Sequence, residues 1–231
     1  LPYNNSPEPQ GLTCGLSFDT FEGNNTKDLG KNGQIFTLHG KAKQTPVGKL
    51  LSGLKIEKNG YLESKTSGIL EHNQSFSWSL WVKTPNNLSG AILSKMDEGN
   101  KFRGYDLWLD AGRPGTHIIH AWPDNALKIV SKKTIPANKW VHLCVTYSGQ
   151  RNANAVEIYM DGTKQEKIIA TNTLKANTIK TDKPFRIGRR FNSAQVNGTE
   201  IDEVRVYNRT LSLEEIKVIM SLPYQSTPEP S

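Results

Sequence analysis

Phe76-Ser77-Trp78-Ser79-Leu80-Trp81-Val82-Lys83 is the stretch on which the fold turns. Phe76, Trp78, Leu80 and Val82 fall on one face of an extended chain, and Ser77, Ser79, Trp81 and Lys83 fall on the other. That is the period of two of a half-buried strand, not the longer period of a helix. Trp140-Val141-His142-Leu143-Cys144-Val145-Thr146-Tyr147 has the same character. After a polar stretch, Val156-Glu157-Ile158-Tyr159-Met160 runs into Asp161-Gly162, a pair that tolerates the left-handed backbone of a tight turn, so the two segments read as a long hairpin. Tyr105-Asp106-Leu107-Trp108-Leu109-Asp110 and His117-Ile118-Ile119-His120-Ala121-Trp122-Pro123-Asp124 read as consecutive strands joined by a Gly112-Arg113-Pro114-Gly115 turn.

Helical periodicity is nearly confined to the end of the chain. There Ser212, three residues before Glu215, forms a capping box that opens Leu213 to Met220. Leu213, Ile216, Val218, Ile219 and Met220 give this short helix an apolar stripe with which to cover one end of a sandwich, and Pro223 stops it. Many short strands, frequent turns and one late helix predict an all-β fold: a two-sheet antiparallel jelly-roll sandwich with one short C-terminal helix.

At 231 residues the chain can bury one substantial core, and a single domain is expected. Its ends are unlike its middle. Leu1-Pro2-Tyr3-Asn4-Asn5-Ser6-Pro7-Glu8-Pro9 is echoed by Leu222-Pro223-Tyr224-Gln225-Ser226-Thr227-Pro228-Glu229-Pro230, starting 221 residues later, with six of nine positions identical. Such strings favour extended polyproline geometry and read as semi-rigid spacers. The expected organisation is a linker at 1–10, a domain at 11–221 and a linker at 222–231, with neighbouring repeats of the same unit in a tandem array.

No apolar run approaches the ~18 residues of a membrane span, so membrane insertion is not expected. The start of the chain has neither a basic n-region nor an apolar h-region, so any export signal is expected to be removed or to lie upstream. Lysine and arginine number 29 against 22 acids, a formal charge of +7 that would attract acidic polysaccharide. The lysines are scattered among Gly, Asn and Thr without interleaved aromatics, which argues against nucleic acid. Cys14 and Cys144 each sit in an apolar strand-like segment, and the spacing allows either a bridge between neighbouring strands or two buried thiols.

The ordered segments resemble laminin-G-like jelly-roll domains of the concanavalin A-like lectin/glucanase superfamily. Leu16-Ser17-Phe18-Asp19 with Asp28-Leu29-Gly30-Lys31-Asn32-Gly33 is similar to the family's first strand and D-x-x-G-N-G loop, here with Lys31 inserted. Phe76 to Lys83 resembles its strand ending in W-V-K. Trp140 to Gly149 is similar to W-x-H-x-A-V-T-Y-D-G, with Cys144 and Ser148 as departures. Ile158 to Gly162 resembles I-Y-x-D-G, and Phe185-Arg186-Ile187-Gly188 resembles F-x-I-G. Ile201-Asp202-Glu203-Val204-Arg205-Val206-Tyr207-Asn208-Arg209-Thr210-Leu211-Ser212 follows the closing I-D-E-V-R-I-Y-N-R-A-L-S almost residue for residue.

The resemblance implies a recognition domain, and it raises the question of catalysis because the superfamily includes β-glucanases. On a strand Glu200, Asp202 and Val204 would share a face at intervals of about 7 Å, with Glu203 on the other. A retaining glycosidase needs two carboxyls roughly 5 to 5.5 Å apart. Val204 stands where the acid/base would be and cannot transfer a proton, so no enzyme is expected. His39, His72, His117, His120 and His142 form no HExxH, and neither GxSxG nor a P-loop occurs.

Sugars are held by ring stacking and planar polar groups, and the candidates for ligand binding are Tyr105, His120, Trp122, Arg189 and Arg190, with His120 and Trp122 on one strand face. The resemblance further implies a structural calcium ion between the first and last strands, on Asp19, Asn32 and Asp202, an oxygen set suited to that metal. The function expected is a non-catalytic carbohydrate-binding or adhesion module of a larger secreted, cell-surface or virion-surface protein, its partner a glycan or glycoconjugate, acidic ones included. The alternative is a structural or protein-binding repeat of a bacterial or viral surface array, with a glycoside hydrolase ranked behind both.

Overall fold

The strand expected from Phe76 lies near the centre of an eight-stranded sheet, in a computed structural model that describes residues 8–30 and 33–221. In chain order the strands are β1 (Leu12–Leu16), β2 (Asn25–Lys27), β3 (Ile35–His39), β4 (Ala42–Thr45), β5 (Gly53–Ile56), β6 (Tyr61–Ser64), β7 (Phe76–Lys83), β8 (Gly90–Asp97) and β9 (Arg103–Asp110). They continue with β10 (Arg113–Ala121), β11 (Asn125–Ser131), β12 (Val141–Tyr147), β13 (Val156–Met160), β14 (Thr163–Lys164), β15 (Lys167–Asn172), β16 (Phe185–Ile187) and β17 (Thr199–Tyr207), and helix α1 (Leu213–Ile219) follows. One sheet runs β14-β13-β12-β7-β17-β5-β4, with β1 also paired to β17. The nine-stranded sheet runs β15-β11-β10-β9-β8-β16-β6-β3-β2. Neighbouring strands are antiparallel, and first and last strands meet through the pair Cys14–Val206.

Aromatic side chains fill the space between the sheets. Trp78 stacks on Tyr105 with ring centres 5.1 Å apart, and Phe76 lies 4.9 Å from both Trp78 and Tyr147. Such rings bury large apolar areas, and the buried phenols still need hydrogen-bond partners. Tyr105 donates to the Gly68 carbonyl and Tyr147 to that of His72, each at 2.6 Å.

Three expectations are corrected by what packs against each strand, and one open alternative is decided. β7 is covered on both faces: Ser79 Oγ lies 2.8 Å from His142 Nε2, and Trp81 sits under the Lys49 ammonium at 4.2 Å. Helix α1 has its capping box, but it lies on the outer face of the eight-stranded sheet, where Ile216 and Ile219 pack on Cys144, Tyr207 and Leu211, and not over an end. Leu213, Val218 and Met220 stay partly or wholly exposed. The β9–β10 turn is Ala111-Gly112, both with positive φ, and Arg113 to Gly115 already belong to β10. Cys14 lies in the inter-sheet core and Cys144 on the outer face, so both are free, buried thiols.

At the entry to the domain Glu8 pairs with Arg205 at 3.1 Å and accepts a hydrogen bond from the Tyr207 hydroxyl, so this residue of the expected linker is held against β17. Residues 1–7 and 222–231, and with them the echoed strings and Pro223, lie outside the described residues.

Candidate functional site

Antiparallel pairing lines up one residue from each strand, and on the outer face of the nine-stranded sheet one such line is polar throughout. It runs Thr37, Glu63, Arg186, Ser94, Asp106, His117, Lys128, Thr171 from β3 to β15. With strands about 4.8 Å apart, seven steps span roughly 30–35 Å.

Asp106 is the centre of the line and has no exposed surface. Its Oδ1 accepts from the His117 backbone N–H at 3.0 Å and from His117 Nδ1 at 2.8 Å. Its Oδ2 accepts from Arg190, at 2.8 Å from Nε and 2.6 Å from the terminal nitrogen. Burial by itself would raise this carboxyl, but the Arg190 guanidinium and His117 more than offset it and hold it at about 2. An ionised carboxylate can only accept, so Nδ1 of His117 is the donor to Asp106, and the Arg190 guanidinium lies 3.2 Å from the same nitrogen.

Two half-exposed indoles flank this buried group. The Arg190 guanidinium lies 4.3 Å over the Trp108 ring, and His117 meets Trp108 and Trp122 edge to face at 5.4 and 5.8 Å. Trp122 rests on Met96, Ile119 and Ala126. With Phe102 and Lys128 these groups line a shallow cleft of about 200 Å³. The Asp106–Arg190 charges cancel, so the cleft presents aromatic faces, an imidazole and one ammonium. That is a set for stacking and hydrogen bonding; Asp106 is sealed off, and the Lys128 ammonium pairs with the partly exposed Asp110 at 3.7 Å.

Along the same face Tyr61 carries a second aromatic cluster. Arg186, paired with Glu63 at 2.6 Å, lies 4.2 Å over its ring, and His39 stacks on it at 4.7 Å.

Of the residues expected at a ligand site, Trp122 and Arg190 come together. Tyr105 faces the core and is 1 % exposed, because in β9 it shares its side with Leu107 and Leu109. His120 does not share a face with Trp122: the β10–β11 register shifts between Ile119 and Ala121, and its Nδ1 lies 2.7 Å from the Thr178 carbonyl. Arg189 turns to the other cluster, 5.5 Å from the Tyr61 ring. Trp108 and His117 were missed. With the turn at Ala111-Gly112, His117 stands opposite Asp106, and a turn placed at 112–115 hides that pairing.

The expected metal ligands Asp19 and Asp202 converge on the loop before β5. Asp202 Oδ2 accepts from the backbone N–H groups of Lys49 and Leu50, each at 2.9 Å, and Asp19 Oδ1 accepts from that of Ser52 at 3.0 Å. Asn32 lies outside the described residues. Burial, reinforced by Glu203, pushes the Asp202 carboxyl up to about 8 against the pull of those N–H groups. Among the described residues no lysine or arginine forms an ion pair with Asp202. The Glu203 N–H donates to Oδ1 at 2.8 Å as well, and among the described residues no cluster of three or more His, Cys, Asp or Glu side chains suited to a metal ion occurs.

Nearby, the expectation that Asp202 and Val204 share a face is corrected. Glu203 has φ +53° and the register slips between Asp202 and Arg205, so Val204 enters the core while Glu203 pairs with Arg205 at 2.8 Å. Glu200 is paired to Lys83 at 3.0 Å.

Comparison with known structures supports the same architecture. The binding domain of Paraclostridial Mosquitocidal Protein 1 superimposes with a TM-score of 0.70 at 16% identity, over 90% of this chain and 51% of that one. Domain 4 of AbnA, an extracellular GH43 arabinanase from Geobacillus stearothermophilus solved with arabinotriose, gives 0.58 at 19% identity, over 90% and 98%. The binding domain of botulinum neurotoxin serotype G gives 0.67 at 16%, over 89% and 50%. The chain thus spans about half the length of the toxin chains it matches and nearly all of the arabinanase domain, and at these identities the likeness is one of fold. The Laminin_G_3 family model, described as concanavalin A-like lectin/glucanases superfamily, matches residues 57–217, from just before β6 into α1, and on that match, with the sandwich it describes, the chain belongs to this family.

Proposed function

We propose that this chain is a non-catalytic carbohydrate-binding module of a larger extracellular or surface protein, and that it takes glycan on the outer face of the nine-stranded sheet. The observation that carries this reading is the pair of half-exposed indoles, Trp108 and Trp122, set around His117 above the buried Asp106–Arg190 pair. Aromatic faces stack on the apolar side of a sugar ring, and the imidazole and Lys128 address its hydroxyls. Two of the fold's relatives support the reading: the arabinanase domain is in complex with arabinotriose, and cell entry of botulinum neurotoxin type C depends on interaction with two ganglioside molecules. Catalysis is disfavoured by the carboxylates themselves, since Asp106 and Asp202 are sealed from solvent and Glu200 is neutralised by Lys83.

A calcium ion held by Asp19 and Asp202, with Asn32, belongs to this proposal as a structural element; it would neutralise buried charge and tie β17 to the loop before β5. The second reading, a protein-binding repeat, is favoured by edge strand β15, whose Ile168 and Ile169 are exposed. Titration of the domain against neutral and acidic oligosaccharides decides between them. Glycan binding weakened about tenfold or more by Trp108→Ala or Trp122→Ala supports the sheet-face site, in line with the cost of removing a stacking platform. Binding that is absent, or indifferent to both substitutions, refutes it.

A further inference from the structure

Lys95 occupies a position that the strand pattern reserves for the core. It stands opposite Tyr105 in the β8–β9 pair, on the side that faces the other sheet, and its residue is 6 % exposed. A buried ammonium needs an acceptor. Among the described residues Lys95 has neither an ion pair within 4 Å nor a side-chain hydrogen bond, and burial holds it below the usual lysine range although Asp182 lies near enough to act against the shift.

The space it faces is a pocket of about 300 Å³ at one end of the sandwich, with a floor of Leu70, Tyr105 and Ile179. Lys65 and Lys180 stand at its rim without ion pairs among the described residues, so three ammonium groups face one carboxylate, Asp182. The rim is fixed. Tyr105 donates to the Gly68 carbonyl at 2.6 Å, and Gly68, at φ +69°, has no room for a side chain, since a Cβ would come within 2.6 Å of that hydroxyl and 2.7 Å of Phe185. Across Ile69 and Leu70 the pocket adjoins a larger cavity of about 590 Å³, whose lining includes Thr66, Ser67, Asn73 and Gln74. Hydroxyl and amide side chains of this kind match sugar hydroxyls.

We propose that this end of the sandwich is a second ligand site, for a sugar carrying an oxyanion group, with the acid group on Lys95 and the hydroxyls on the Thr66–Gln74 lining. The site lies on the opposite face of the nine-stranded sheet from the Trp108–Trp122 cleft, since Tyr105 of β9 turns into the core and Trp108 of the same strand turns outward, and loss of either leaves the other in place. A charge-assisted hydrogen bond formed out of water supplies the missing acceptor of Lys95, and the apolar floor takes the face of the ring.

The test is an NMR titration of the domain with glucuronic acid, glucose 6-sulfate and glucose. One or both acids should bind at the Lys95 pocket, glucose should not bind there, and Lys95→Gln should weaken the acid by about tenfold or more. The two acids separate a carboxylate from a sulfate preference. Should Lys95→Gln fail to fold, reductively ¹³C-methylated wild-type protein gives the same answer, because the Lys95 methyl resonance should move with the acid and not with glucose. No binding of either acid at the Lys95 pocket, equal binding of glucose there, binding there that survives Lys95→Gln, or a Lys95 resonance that does not respond overturns the proposal.

Discussion

Replacing Asp106 by Asn removes one negative charge from a place that water does not reach and leaves Arg190, itself only 8 % exposed, without its partner. Breaking a buried pair from one side costs about 3–5 kcal/mol, because the surviving charge keeps its burial and loses its attraction. The pH dependence supplies a second number. Burial raises Asp106, but Arg190 and His117 hold it at about 2, against about 3.9 for an unfolded aspartate, so its ionisation contributes roughly 2–3 kcal/mol of stability. A depressed carboxylate pKa gives stability that is fully present above the unfolded value and lost as pH falls through the folded one, so the loss falls between about pH 4 and pH 2. Urea denaturation of the wild type and Asp106→Asn across pH 2 to 7 measures both quantities. The variant should be less stable by about 3–5 kcal/mol at pH 7, the gap should narrow by about 2 kcal/mol on acidification, and Asp106→Leu with Arg190→Met should recover much of the loss. A variant within about 0.5 kcal/mol of wild type at pH 7, or one with the wild-type acid slope, refutes the account of Asp106 as the charged keystone of the cleft.

A chelator should lower the melting temperature, calcium and not equimolar magnesium should restore it, and Asp202→Ala should abolish the response; a melting curve indifferent to chelator refutes the metal proposal. Ser212→Ala, by removing the acceptor of the Glu215 N–H, should cost about 1 kcal/mol in chemical denaturation, and no change would mean that α1 is held by Ile216 and Ile219 alone. On β-glucans the domain should show no turnover; activity that vanishes in Glu200→Gln would return the Glu200–Asp202 strand to a catalytic role.

Strand and helix positions were legible because β7, β12 and β13 carry their period openly and Ser212 with Glu215 marks a helix start. Face assignment was legible only where a strand runs without a bulge. At Glu203 one left-handed residue reverses the side on which Val204 lies, and at His120 a register shift does the same, and no local pattern in the sequence marks either. The covering of Ser79 and Trp81 could not be read from β7, since the groups that cover them, His142 and Lys49, come from distant segments. The cleft was half legible for the same reason. Trp122 and Arg190 carry their chemistry in their type, whereas the partnership of Asp106 with His117 depends on a hairpin register set by two residues, Ala111 and Gly112.

The pairing of β1 with β17 has a mechanical consequence. Leu12, at the start of β1, stands opposite Tyr207, at the end of β17, so the chain enters and leaves this strand pair at the same point. A tension applied through the segments before β1 and after β17 would pull across the ladder at one end and open its hydrogen bonds in succession, instead of loading them together along the strand direction. Glu8, held by Arg205 and Tyr207 on one side, and helix α1, packed on Cys144 and Tyr207 on the other, would bear the load before the ladder does. A module strung in this way yields by peeling at low force, and it would extend under a pull long before the aromatic core between the sheets was disturbed.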